Sequence, residues 1–231
     1  MCLLAAALPR MPRWKGTIDV SLYMQITIAL AAILILSDLI MRKVVSNRIT
    51  RYFSMGKYEE LLAYLDTFTA KNFMHPFNIE YVRMNAYLAL GQDDKAIEVV
   101  DKLLAAKLDK RQKPAVVDSA FTLYLDAGRY KDAKKMLAII EKEGQKDYAE
   151  SCREMYEIIA NKSSRYLDEM LEELPEATGE AKAQLLSLIA LQYRNRGQQA
   201  KYRMYTKQLE DMAKGGSQQA KAADAKGPRN N

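Results

Sequence analysis

The chain has 231 residues, 49% hydrophobic and 28% charged, with ten glycines and six prolines. That balance is globular rather than disordered and favours helices in one domain of ordinary size plus accessories. The net charge of +6 is confined to the ends: residues 1–51 carry +5, residues 52–213 carry −2 and residues 214–231 carry +3. The middle therefore has no basic footprint for nucleic acid.

Residues 1–21 show no sustained period and are expected to be a flexible N-terminal segment, with Met1, Met11 and Met24 all candidate starts. Residues 22–41 contain sixteen apolar residues in twenty. A helix rising about 1.5 Å per residue crosses a hydrocarbon core of about 30 Å in that length, so this stretch is expected to be one transmembrane helix. Its acid, Asp38, lies near the end of the run and four residues before Arg42, which predicts an interfacial ion pair. No small-x-small site follows the apolar core, against a cleaved signal peptide; a buried helix of a soluble fold is the alternative. Arg42, Lys43, Arg48, Arg51 and Lys57 follow the span, against Arg10, Arg13 and Lys15 before it. The positive-inside bias places the chain in a cell membrane, single-pass, with the long C-terminal part cytoplasmic. That topology would hide the sequon Asn161-Lys162-Ser163. No Pro or Gly interrupts residues 42–54, so the same helix is expected to run from Leu22 to Ser54, about 50 Å, and to hold the C-terminal helices against the membrane surface.

After Gly56, Tyr58–Phe68 reads as an amphipathic helix with Leu61, Leu62, Leu65 and Phe68 inward. Pro76 opens the next helix, which ends at Leu90, and Asp93 or Asp94 is the expected cap of a helix over 95–107. Pro114 starts a helix to Ala127, and Tyr130–Lys142 returns. Residues 146–160 and 164–174 form a fourth pair closed by Pro175; Glu180–Arg196 and Gln199–Ala213 form a fifth. Gly215-Gly216 is the expected end of order, leaving residues 214–231 as a disordered tail.

The turns fall at Gly56, Gly91, Gly128, Asn161 and Gly197, in steps of 35, 37, 33 and 36. Tyr precedes Gly by four residues at Tyr52/Gly56, Tyr87/Gly91, Tyr124/Gly128 and Tyr193/Gly197, and Ala follows by five at Ala96 and Ala133. Gly accepts φ > 0 at a helix end, and Ala lets two helices approach closely. A period near 35 with one helical hairpin per unit signals an α-solenoid. Over residues 48–213 the pattern resembles tetratricopeptide repeats, so the expected fold is all-α: a solenoid of about five hairpins, residues 42–213, following one transmembrane helix. The first and last units depart from the pattern, with Leu61 and Tyr202 at the Ala position. The fourth has Asn161 at the turn, five residues after Tyr156.

The resemblance implies a protein or peptide partner in a groove lined by the first helices, here Tyr81, Asn85, Asp118, Thr122, Asp126, Glu150, Glu154 and Glu157. Only Asn85 suits a clamp for an acidic tail. The five carboxylates favour a basic or amphipathic segment, or are simply a solvated face. Cys2 and Cys152 form neither a disulfide framework nor a metal knuckle, and Cys152 reads as a buried thiol. The single histidine, His75, reads as a surface or capping residue beside Pro76, and no phosphate loop, nucleophile elbow or paired-His metal motif occurs. The expectation is a non-catalytic, membrane-anchored scaffold without cofactor or metal, contacting lipid through residues 22–41 and recruiting a membrane-proximal partner. The alternative is a structural subunit of an oligomeric membrane complex.

Overall fold

The structure is a computed structural model that describes residues 20–224. The expectations for the first nineteen residues, Cys2 included, and for residues 225–231 fall outside the described residues. Eleven helices and no strand occur among the described residues. They are α1 (Val20–Ser54), α2 (Tyr58–Leu65), α3 (Phe68–Phe73), α4 (Pro76–Ala89), α5 (Asp93–Ala105), α6 (Gln112–Asp126), α7 (Tyr130–Glu143), α8 (Lys146–Ile159), α9 (Leu167–Glu173), α10 (Gly179–Asn195) and α11 (Gln199–Asp224). The chain divides into two compact units, Met1–Ile79 and Glu80–Asn231, the boundary running through α4.

In the first unit, α1 is continuous from Val20 to Ser54, as the absence of breakers in 42–54 predicts. Its segment from Met24 is long and apolar enough to cross a membrane, and none of that apolar stretch is buried. Arg42 Nε donates to Asp38 Oδ2 at 2.7 Å, the expected pair one turn apart. Further along, α1 packs against α2 and α3, and Val45, Ile49, Leu61, Leu65 and Ala70 are buried. Phe68 is not: it is 80% exposed. The expected single helix Tyr58–Phe68 breaks at Asp66, and the Thr67 hydroxyl accepts the Ala70 amide at 3.3 Å to start α3. A new cap resets the helical phase, so the three-residue spacing from Leu65 and seven-residue spacing from Leu61 no longer point Phe68 inward.

In the second unit, packing follows chain order: α5 on α6, α6 on α7, α7 on α8, α8 and α9 on α10, and α10 on α11. The turn joining α6 to α7 explains the Tyr–Gly spacing. Gly128 sits at φ +71°, its amide donates to Leu125 O at 3.1 Å, and the Arg129 amide donates to Tyr124 O at 2.7 Å. This is a Schellman ending, in which the left-handed residue lets its own amide and that of the next residue satisfy two orphan carbonyls. The same Tyr carbonyl is capped at 2.9 Å by Lys57, Gln92 and Gln198 at the other three Tyr–Gly turns. Cations stand over three of these rings: Lys95 over Tyr87, Arg129 over Tyr124 and Lys201 over Tyr193. Ala96 and Ala133 are fully buried, as close helix approach requires.

Other boundaries differ from expectation. Gln92, not Asp93 or Asp94, is the residue before α5, and the two acids lie in the first turn, where they favour the positive end of the helix dipole. Asp109 Oδ1 accepts the Arg111 and Gln112 amides, so α6 starts before Pro114. At the fourth turn the left-handed residue is Lys162 (φ +53°), not Asn161. The Ser163 amide reaches back six residues to Glu157 O at 3.0 Å, which absorbs the extra residue after Tyr156. Finally, α11 runs through Gly215 and Gly216 to Asp224. Each Gly costs about 1 kcal/mol, but the Gln/Ala/Lys-rich segment beyond consists of good helix formers.

One core position carries a cost. Gln192 is fully buried beside Ile158, Met170, Leu188 and Ile189, its amide facing the Met170 sulfur at 3.3 Å and its Oε1 without a partner. Gln192→Met should raise stability by about 1 kcal/mol, because an unpaired buried acceptor is removed at similar volume. Equal or lower urea midpoints for the variant would contradict this.

Candidate functional site

The expected groove residues come from three helices of the second unit. On α4, Tyr81 is half-buried and its hydroxyl lies 3.5 Å from Ser119 Oγ of α6, while the Asn85 amide donates back to Tyr81 O at 2.8 Å. Asn85 therefore spends a donor within its own helix. On α6, Asp118, Thr122 and Asp126 recur every four residues and share one face. Thr122 Oγ1 donates to Asp118 O at 3.3 Å. Asp126 is exposed as a residue, yet enough protein surrounds its carboxyl to raise its pKa by desolvation, with Asp93 of α5 adding a like charge. Asp93, rather than an acid of α8, is thus its electrostatic neighbour.

On α8, Glu150 is exposed while Glu154 and Glu157 are half-buried. Burial raises the Glu154 carboxyl first, and Glu169, Glu150 and Glu173 raise it further; Arg165 opposes them. Glu154 is thus the centre of a carboxylate group shared by α8 and α9. Glu169 and Glu173, four residues apart on α9, were not among the expected site residues, although that spacing is legible as one helical face.

Asp118 is tied to α8 by a contact that spacing does not reveal. Burial raises its carboxyl, and a hydrogen bond from the Tyr148 hydroxyl partly offsets the rise. Tyr148 also meets Cys152, whose thiol is held up chiefly by burial. A thiol kept protonated in this way is inert, as its apolar position suggests. Above Asp118 lies a cleft of about 500 Å³ between α6, the end of α7 and the start of α8. Pro114, Val117, Ile139 and Ile140 supply its apolar wall, and Lys113 pairs with Glu143 at 2.7 Å across one rim.

His75 has a structural place: its Nδ1 accepts the Phe77 amide at 3.2 Å at the start of α4. No group of three or more potential metal ligands converges among the described residues. Desolvated carboxylates with like-charged neighbours, as at Glu154, gain most from an incoming cation, and of the expected site carboxylates Asp118 is the one that lines the apolar cleft. No family model, curated protein or solved structure matches the chain.

Proposed function

We propose that the chain is a membrane-anchored, tetratricopeptide-like scaffold whose second unit holds a basic, amphipathic protein segment at the membrane surface. The observation that carries this reading is the Glu154 carboxyl, pushed up by burial and by three neighbouring carboxylates. A group so placed is destabilising when ionised. Its folded-state pKa lies above the unfolded one, so its contribution to stability is largest below the ordinary carboxylate range and falls as pH rises through the raised value. At neutral pH that repulsion is relieved by a bound cation, which converts it into affinity. The anchor reading is supported by the unburied apolar stretch of α1, since a soluble core helix of that composition would be covered. The repeat reading is supported by the four equivalent Tyr–Gly endings and the two fully buried alanines.

The test uses the full chain in zwitterionic nanodiscs and a fluorescent peptide of alternating Lys and Leu blocks, read by anisotropy. Glu150→Lys with Glu154→Lys should weaken binding about tenfold or more, about 1.4 kcal/mol. Binding by the parent chain should weaken as pH falls from neutral toward the ordinary carboxylate range, because the raised carboxylates take up protons before unperturbed ones do. Unchanged affinity in the double variant, or equal binding of a Glu/Leu peptide, retires the proposal.

A further inference from the structure

The first unit carries a basic pocket that the scaffold reading leaves unused. Arg48, Arg51, Tyr52, Met55 and Lys57 line a hollow of about 260 Å³ where α1 ends and turns into α2. Arg48, Arg51, Tyr52 and Met55 are spaced three, four and seven residues apart, so they form one stripe. Followed back toward the N-terminus, the same stripe passes Val44, Ile33 and Leu30, all exposed. The apolar track that would lie against acyl chains therefore leads straight into the cations.

The geometry suits a headgroup. Arg48 lies six residues beyond Arg42, about 9 Å along the axis, just past the apolar run. Side chains on a helix lean toward its N-terminus, so both arginines lean back toward the apolar stretch, and long basic side chains extend readily to an interface. The Arg48 guanidinium is propped 5.2 Å above the Tyr64 ring, itself 5.8 Å from the Tyr52 ring, so its position is set before any ligand arrives. Neither Arg48 nor Arg51 pairs with a carboxylate among the described residues. Lys57 pairs with Glu60 at 3.4 Å, both side chains being about half exposed. Such a surface pair contributes little and is readily exchanged.

We infer that Arg48, Arg51 and Lys57 seat the phosphate of an anionic glycerophospholipid, whose glycerol and acyl chains run back past Val44 toward the exposed apolar stretch of α1. The inference rests on the proposed membrane insertion of α1. The seat gives the anchor a lipid preference, and it fixes the rotation of α1 relative to the bilayer by tying one stripe to charged headgroups.

Native mass spectrometry of the full chain, extracted in neutral detergent with equimolar phosphatidylglycerol and phosphatidylcholine, tests it. Phosphatidylglycerol should be retained in preference. Arg51→Gln, at an exposed side chain without an ion pair, should reduce that preference about fivefold, the factor for about 1 kcal/mol per cation near a lipid surface. Arg48→Gln, Arg51→Gln and Lys57→Gln together should bring the two lipids to parity. Arg42→Gln, which also removes one charge but lies outside the pocket, should leave the preference intact. Equal retention of both lipids by the parent chain, or an Arg42→Gln effect as large as that of Arg51→Gln, overturns the inference. Displacement of lipid by millimolar inorganic phosphate also overturns it, making the hollow a free-anion site. Detergent phase partitioning of the same sample separates the two readings. A chain left in the aqueous phase sinks membrane insertion, whereas one that enters the detergent phase without lipid preference sinks only the seat.

Discussion

Leu30→Arg combined with Leu34→Arg is expected to move the full-length chain from the membrane fraction to the carbonate-extractable fraction. Each Arg near the middle of a spanning helix costs about 2.5–3.5 kcal/mol on an insertion scale, so the pair opposes insertion by roughly 5–7 kcal/mol. Within the folded chain the same substitutions remove little, because Leu30 is 58% and Leu34 is 69% exposed. That contrast gives the experiment its force. If α1 were merely an exposed helix of a soluble protein, two arginines would improve solubility and change no partitioning. A double variant that stays carbonate-resistant would show that residues 22–41 are not what holds the chain to a membrane. The four-residue spacing places both charges on neighbouring turns of one face, so tilting cannot bring both to the same interface.

Phe121→Ala should destabilise the second unit by about 3–5 kcal/mol, a large share of the 5–15 kcal/mol typical of a folded domain. Phe121 is 1% exposed on α6, which packs between α5 and α7, and the flanking Val117, Ala120 and Leu125 are buried as well. Truncating the ring loses its transfer energy and leaves a cavity that two packed neighbours cannot fully close. Phe68→Ala is the matched control: the same deletion, at a side chain 80% exposed, should stay within about 0.5 kcal/mol. Urea unfolding of the detergent-extracted chain, followed by far-ultraviolet circular dichroism, measures both. Equal midpoints for the two variants would mean that α6 is not a core helix. The comparison also tests the Thr67 break, since a continuous helix from Tyr58 would have buried Phe68.

The pair of phenylalanines shows what a sequence pattern can carry. Phe121 lies in an unbroken helix, so its three- and four-residue spacing to buried neighbours keeps its meaning along the whole element. Phe68 follows a cap at Thr67, and one side-chain hydrogen bond there restarts the phase. The turn at residues 161–163 fails for a different reason. Asn is the better residue for a left-handed conformation, yet Lys162 adopts it. The end of α8 is held from outside, where Asn195 of α10 donates to Ile158 O at 2.9 Å and to Ser163 O at 3.0 Å. A side chain more than thirty residues away thus selects which residue turns left-handed, and no local propensity contains that information.

The candidate site divides along the same line. The recurrence of Asp118, Thr122 and Asp126, and of Glu150, Glu154 and Glu157, is legible as helix faces. Which of these carboxyls is deprived of water, and by whom, is not. Asp118 answers to Tyr148, thirty residues on, Asp126 to Asp93, and Glu154 to Glu169 and Glu173.

The amino-acid sequence alone determined the all-helical class, the four equivalent Tyr–Gly endings, the long unbroken apolar helix and the Asp38–Arg42 pair. Each of these depends on atoms within about one or two helical turns, where backbone geometry is set by local chemistry. The tertiary structure alone decided the exposure of Phe68, the choice of Lys162 at the fourth turn, the Tyr148–Asp118 contact and the electrostatic centre at Glu154. Burial and desolvation are set by whatever other part of the chain arrives nearby, and that neighbour is not encoded in the spacing of any single segment.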